Sequence, residues 1–244
     1  MHFFIDPSDL TGNTLRLSEA LRHHWLDVLR LKTGDHLSIV VGKEKILHVR
    51  IMLLNSELMS FDVLKDEVLV GRQGPRLVLI QSYPKGDKMA DILNACTQLG
   101  VSEVIPILSS RTVVRIPDAM KRKKESRLRR ILMSAAEQSE SPFLPMLHPI
   151  QSFNQFVEAF SLKKNEQALV PWEEERQLSL KQALTMKAVP QVYYFFIGPE
   201  GGLSSEEVFR LSQIGFQSVS LGKSILRVEI AAVTAVSQLQ FFLS

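Results

Sequence analysis

Residues 197–231 constrain this chain most. They run IGPEGGLSSEEVFRLSQIGFQSVSLGKSILRVEIA and hold two glycine turns, each close behind an apolar run. The first run, residues 192–197 (VYYFFI), is short, unbroken and rich in aromatic and β-branched side chains. A half-exposed strand alternates, so this run suits a strand covered on both faces of a parallel sheet. Gly198-Pro199-Glu200-Gly201-Gly202 ends it. Ser204 with Glu207 three residues on is a capping box. Val208, Leu211 and Ile214 supply the helix stripe, and Gly215 stops it. Residues 217–221 read as a second strand, Gly222 as its turn, and residues 225–243 as a closing helix. Ligands of open α/β sheets bind outside the carboxyl ends of strands, where both turns lie. Gly201-Gly202 lets main chain approach a ligand, and Pro199 stiffens the entry. There is no G-x-G-x-x-G and no G-x-x-x-x-G-K-[ST], which argues against a dinucleotide oxidoreductase and a P-loop enzyme.

Charge is concentrated. The formal net charge is only +3 over 244 residues. Residues 121–130 (KRKKESRLRR) nevertheless carry seven basic side chains against one acidic, so the remaining chain is negative. A dense basic patch on such a body points to a polyanion, nucleic acid before a merely solvated helix face. Cys96 is the only cysteine, which excludes an intrachain disulfide and fits a reducing compartment, the cytoplasm. The N-terminus lacks the pattern of a signal peptide, and no apolar run reaches transmembrane length, so no membrane role is expected. The six histidines show no metal spacing, and no metal is expected.

In chain order, residues 1–72 read as a small β-rich domain. Strands are expected at 2–5, 37–41, 46–53 and 59–64, with a short helix from Ser18 carrying Leu21, Trp25, Val28 and Leu29. Repeated strands and tight turns suggest a small barrel. Residues 67–75 (EVLVGRQGP) read as a linker. From 73 to 244 strands alternate with helices, the mark of crossover units and a parallel sheet. Strands are expected at 77–81, 104–108 and 168–171, and helices at 87–99, 119–139, 151–160 and 178–186. The 119–139 helix sets Leu128, Ile131, Leu132, Ala135 and Ala136 on one face, with its cationic edge open to phosphates.

The segments IGPEGG, S-x-x-E and SLGKSILRVE resemble the C-terminal signature of the bacterial 16S ribosomal RNA uridine-N3 methyltransferases, the RsmE-type branch of the SPOUT superfamily. PKGDKM at 84–89, Leu99-Gly100-Val101, Pro106 with Ser110-Arg111, and AAEQS at 135–139 extend the likeness. HWLDVLR at 24–30 with Gly34-Asp35 resembles the family's first domain. The resemblance implies an α/β protein with a PUA-like, RNA-binding β-barrel at 1–72. It further implies a trefoil-knotted SPOUT domain at 73–244, a topology that periodicity alone could not suggest. It implies a cytoplasmic homodimer that uses S-adenosylmethionine to methylate N3 of a uridine in 16S rRNA of the small ribosomal subunit.

Residue roles follow from the same likeness. Leu169, Val170, Ile197, Gly198, Pro199, Gly201, Gly202, Ser220, Leu221, Gly222, Ile225 and Leu226 would line the cofactor pocket. Arg227 would steady the uracil anion or orient RNA. Glu200 and Glu229 are candidates for base or orienter. Equally, Glu200 could bind main-chain N–H groups and Glu229 could pair with Arg227. RNA contacts would come from Arg30, Lys85, Lys88, Arg111, Arg115, Lys121, Arg122, Lys123, Lys124, Arg127 and Arg130. The chain departs from the family pattern at His2, Gln98, Ser141, Ser224 and Ile230, where Arg, Glu, Arg, Arg and Thr are usual. These departures leave a second reading, a SPOUT-fold rRNA- or ribosome-binding factor of weak or absent catalysis.

Overall fold

The computed structural model describes residues 2–186 and 188–244. They divide into two compact units, residues 2–72 with Ala136–Phe143, and Gln73–Ala135 with Leu144–Ser244.

The first unit is built on strands β1 (His2–Ile5), β2 (Leu10–Thr11), β3 (Thr14–Arg16), β4 (His36–Val41), β5 (Lys45–Leu54) and β6 (Leu58–Val68), with helix α1 (Glu19–Arg22). They form one six-stranded sheet in the order β1-β4-β5-β6-β3-β2. Only β1 and β4 pair in parallel. Ser18 caps α1, as its position before Leu21 predicts, but the helix widens at once into a π-helical turn, His23–Val28. That turn buries Trp25 completely, edge-on to Phe3 at 5.2 Å, while Val28 is left outside. β6 runs into the expected linker because its ladder with β5 continues to the Lys45–Val68 pair. Strands β2 and β3 are too short to leave a sequence pattern. The segment 136–143, expected in the second domain, belongs here. The His2 ring bonds the Glu140 carbonyl at 2.8 Å, Glu137 accepts from the Phe4 N–H, and the Arg72 guanidinium lies 5.3 Å over the Phe143 ring.

The second unit holds β7 (Arg76–Ser82), α2 (Lys88–Gln98), β8 (Glu103–Leu108), α3 (Asp118–Gln138, through Ala135), β9 (Met146–Leu147), β10 (Gln151–Ser152), α4 (Phe153–Ala159), β11 (Glu166–Pro171), α5 (Leu180–Thr185), β12 (Val192–Ile197), α6 (Ser205–Gln213), β13 (Phe216–Val219) and α7 (Val228–Leu243). Every strand pair in its sheet is parallel, in the order β10-β8-β7-β12-β11-β13, with β9 also on β8. The unbroken apolar run of β12 has its cause here. Tyr193, Phe195 and Ile197 face a core shared with α2, α3, α5 and α7, whereas Val192 and Phe196 face a second core shared with α4 and α6. In that second core Phe196 meets Phe153, Phe156 and Phe216 with ring centroids 5.7–6.1 Å apart. Aromatic pairs of this kind add about 0.5–1.5 kcal/mol each beyond the area they bury.

Two boundary shifts have a clear local cause. The closing helix starts at Val228, not at 225, because Arg227 is extended and forms the cap. The helix expected over 151–160 yields its first two residues to β10, after which Ser152 and Gln155 form a capping box for α4.

Candidate active site

The carboxyl ends of β11, β12 and β13 lie side by side, and the chain leaves each through a loop. These loops enclose a cavity of about 440 Å³, well within the roughly 300–1,000 Å³ of small-molecule sites. The loop after β11 is stitched to β13. Trp172 N donates to Val219 O (3.1 Å), and Glu175 accepts from Ser218 Oγ (2.6 Å) and from the N–H groups of Gln177 and Leu178. The Ser218 hydroxyl, together with those N–H groups, holds the Glu175 carboxyl below its usual range. The loop after β13 is fixed by Ser220, whose hydroxyl bonds both the carbonyl and the N–H of Gly222 (3.1 and 3.2 Å).

The GPEGG turn shows why glycine is needed. A methyl group on Gly198 would press on Leu203, 3.0 Å from Cγ and 3.3 Å from N. Gly202 has φ +66°, and a methyl group there would overlap the Glu173 carboxylate. The next residues obey the capping box. Ser204 caps α6, and Glu207 bonds back to Ser204 N and across to Ser110 N (2.9 Å).

Of the residues expected around a cofactor, Ile197, Gly198, Pro199, Gly202, Ser220, Leu221, Gly222, Ile225 and Leu226 line the cavity. Leu169 and Val170 do not. They are buried inside the sheet beneath it, because β11 continues through Pro171. Gly201 faces the other way, its carbonyl accepting from Arg111 at 3.0 Å. The wall also includes Trp172, Glu173, Arg176 and Lys223, to which sequence reasoning gives no role. The strand-end position of Trp172-Glu173 is the signal that could have found them.

Arg227 lines the cavity at the foot of α7. No ion pair joins it to Glu229 among the described residues. Glu229 lies on the first turn of α7 outside the cavity wall, with its Oε2 buried and without a hydrogen-bond partner among the described residues. The Glu200 carboxylate accepts from Lys85 N (2.9 Å) and the Lys88 ammonium (3.0 Å). Desolvation pushes its pKa up, but Lys88 and the N–H groups of Glu200 and Lys85 outweigh that and hold it below the usual carboxylate range.

The basic candidates fall into three groups. Arg111, Lys85 and Lys88 surround the GPEGG turn. On α3, Lys121 pairs with Asp118 (2.8 Å), Arg127 with Asp87 (2.6 Å), and Lys124 lies over the Tyr83 ring, while Arg122, Lys123 and Arg130 are exposed. Arg115 is exposed ahead of α3, and Arg30 is exposed in the first unit at φ +55°. The positions that depart from the family pattern are ordinary in their surroundings. Ser224 lines the cavity, Ile230 is exposed, Gln98 bonds Asn94 (3.2 Å), and Ser141 closes a turn onto Phe143.

Residues 72–240, most of the chain, match the RNA methyltransferase domain family. The chain belongs to that family. Among RNA methyltransferase domain proteins, it is 30% identical to ribosomal RNA small subunit methyltransferase E of Synechocystis, over 98% of this chain and 77% of that one. It is 31% identical to the protein of the same name from Bacillus subtilis, over 90% and 86%. The fold superposes on the crystal structure of a ribosomal RNA small subunit methyltransferase E from Neisseria gonorrhoeae bound to S-adenosylmethionine. The TM-score is 0.84 at 28% identity, covering 99% of this chain and 97% of that one. Family membership makes this chain an enzyme of RNA methylation, and no helix among the described residues is long and apolar enough to cross a membrane.

Proposed function

We propose that this chain transfers a methyl group from S-adenosylmethionine to N3 of a uridine in 16S rRNA of the small ribosomal subunit, in the cytoplasm. The observation that carries this reading is the cavity at three parallel strand ends in a chain alike, over nearly its whole length, to the small-subunit methyltransferases. The donor supplies an activated methyl on a sulfonium.

The residues present fit that donor. Gly198 and Gly202 line the cavity with bare main chain. Leu221, Ile225 and Leu226 leave main-chain groups without hydrogen-bond partners among the described residues, free to match the donor and acceptor edge of an adenine. Ile225 is 81% exposed, an apolar side chain set beside a cavity it can close.

Uridine N3 carries a proton at neutral pH, so the site must ease its loss. Arg227 stands on the cavity wall with no ion pair among the described residues, and there a guanidinium stabilises negative charge developing on the uracil oxygens. Glu200 is a poor base because its charged form is already stabilised by Lys88, and we assign it to holding the turn. Glu229 is the less committed carboxylate, though it stands behind the wall. N3 is engaged when uridine is paired, so the target must be unpaired or drawn from its stack.

The remaining assignments rest on the same likeness. The first unit acts as the PUA-like RNA-binding barrel and the second as the trefoil-knotted SPOUT domain, in a homodimer. The exposed basic side chains of α3 serve phosphate contact. The reading of a binding factor without turnover is not favoured, because Ser224, Ile230, Gln98 and Ser141 disturb neither the cavity nor Arg227.

The test mixes purified protein, labelled S-adenosylmethionine and small subunits lacking the modification. Label recovered in 16S rRNA is the expected result. Measurable donor binding with no label in RNA would favour the binding-factor reading.

A further inference from the structure

We propose that Glu173 is the cation-reading carboxylate of the cavity and sets its affinity for the positively charged methionine part of the methyl donor. The inference rests on the donor assignment above.

Three observations converge. Glu173 follows Pro171-Trp172 at the carboxyl end of β11 and lines the cavity. Its side chain reaches across the GPEGG turn and occupies the space that a Cβ on Gly202 would need, so Gly202 makes room for a carboxylate. Glu173, exposed like Glu174, has no hydrogen bond or ion pair among the described residues, whereas two other carboxylates beside the cavity are engaged. Glu200 holds Lys85 N and Lys88, and Glu175 holds Ser218 and the main chain of Gln177 and Leu178. Those bonds of Glu175 also fix the loop that carries Glu173.

An unpartnered carboxylate on the cavity wall fits a cationic ligand atom, because charge-assisted contacts are about twice as strong as neutral ones. S-adenosylmethionine offers two such atoms, the sulfonium and the α-ammonium. S-adenosylhomocysteine keeps only the ammonium, and 5′-methylthioadenosine has neither.

Titration calorimetry of the full chain with these three compounds tests the assignment, comparing wild type with Glu173→Gln. The expected result is about tenfold weaker binding of S-adenosylmethionine, with 5′-methylthioadenosine unchanged. An equal weakening for S-adenosylhomocysteine assigns the contact to the ammonium, and none assigns it to the sulfonium; both support the proposal. Unchanged S-adenosylmethionine affinity overturns it, including the case where only turnover falls, which would mark Glu173 as a proton acceptor. A parallel weakening for 5′-methylthioadenosine also overturns it, since Glu173 would then merely shape the wall. Wild-type protein that binds none of the three overturns the donor assignment itself.

Discussion

Glu200 and Lys88 tie the turn after β12 to the start of α2 through a 3.0 Å ion pair, with the Lys85 N–H on the same carboxylate oxygen at 2.9 Å. The pair joins segments more than a hundred residues apart in sequence and holds one wall of the cavity. The folded-state pKa of Glu200 lies below the ordinary 4.5 of a glutamate. The stability it contributes is therefore present above about pH 4.5 and is lost as pH falls through the folded value. Both side chains are partly solvated, so the contribution is modest, about 0.5 kcal/mol after screening. Glu200→Gln is expected to lower the melting temperature slightly at pH 7, with the difference vanishing once pH falls below the folded-state pKa. A difference that grows toward acid would contradict the assignment.

Glu137 has the opposite sign. Burial raises its pKa to about 7, only partly opposed by the hydrogen bond from Phe4 N–H. The folded state holds this proton more tightly than the unfolded one, so stability is full below about pH 4.5 and declines as pH rises toward 7. With solvent screening allowed for, the decline amounts to about 1–2 kcal/mol. Glu137→Gln is expected to match wild type near pH 4 and to melt higher near pH 8. Thermal unfolding across that range checks it.

The exposed cations of α3 predict a salt signature. Arg122, Lys123 and Arg130 hold no ion pair among the described residues, whereas Lys121 and Arg127 already hold Asp118 and Asp87. Arg122→Ala with Lys123→Ala is expected to weaken RNA binding. The slope of log affinity against log salt should fall by about 0.7–0.9 for each phosphate no longer neutralised. Lys121→Ala, which removes a cation already paired, is expected to change the slope less. Filter binding at several salt concentrations separates the two.

Much of this is legible in the residues. The unbroken run at 192–197 sets the limits of β12 because both its faces are buried, and Ser204 with Glu207 places α6. Nine of the twelve cofactor candidates line the cavity. The failures have physical causes. The end of β11 lies near the pocket and suggests Leu169 and Val170 for its wall, but the strand continues through Pro171 and leaves both inside the sheet. Strands of two residues carry no periodicity, so nothing in the sequence marks β2, β9 or β10. Residues 136–143 join the first unit through contacts of His2, Phe4 and Arg72, which lie far from that segment in sequence. Of the three successive glutamates at 173–175, only Glu173 lines the cavity, against the Gly202 turn.

The most direct test of the central claim is the identity of the methylated nucleoside. Small subunits lacking the modification would be incubated with the protein and labelled S-adenosylmethionine, and the 16S rRNA digested to nucleosides and resolved by chromatography and mass. The account predicts label in N3-methyluridine at a single site, with Arg227→Ala lowering the rate by about a hundredfold while donor affinity stays unchanged. Label in any other nucleoside, or an Arg227→Ala enzyme as fast as wild type, would contradict it.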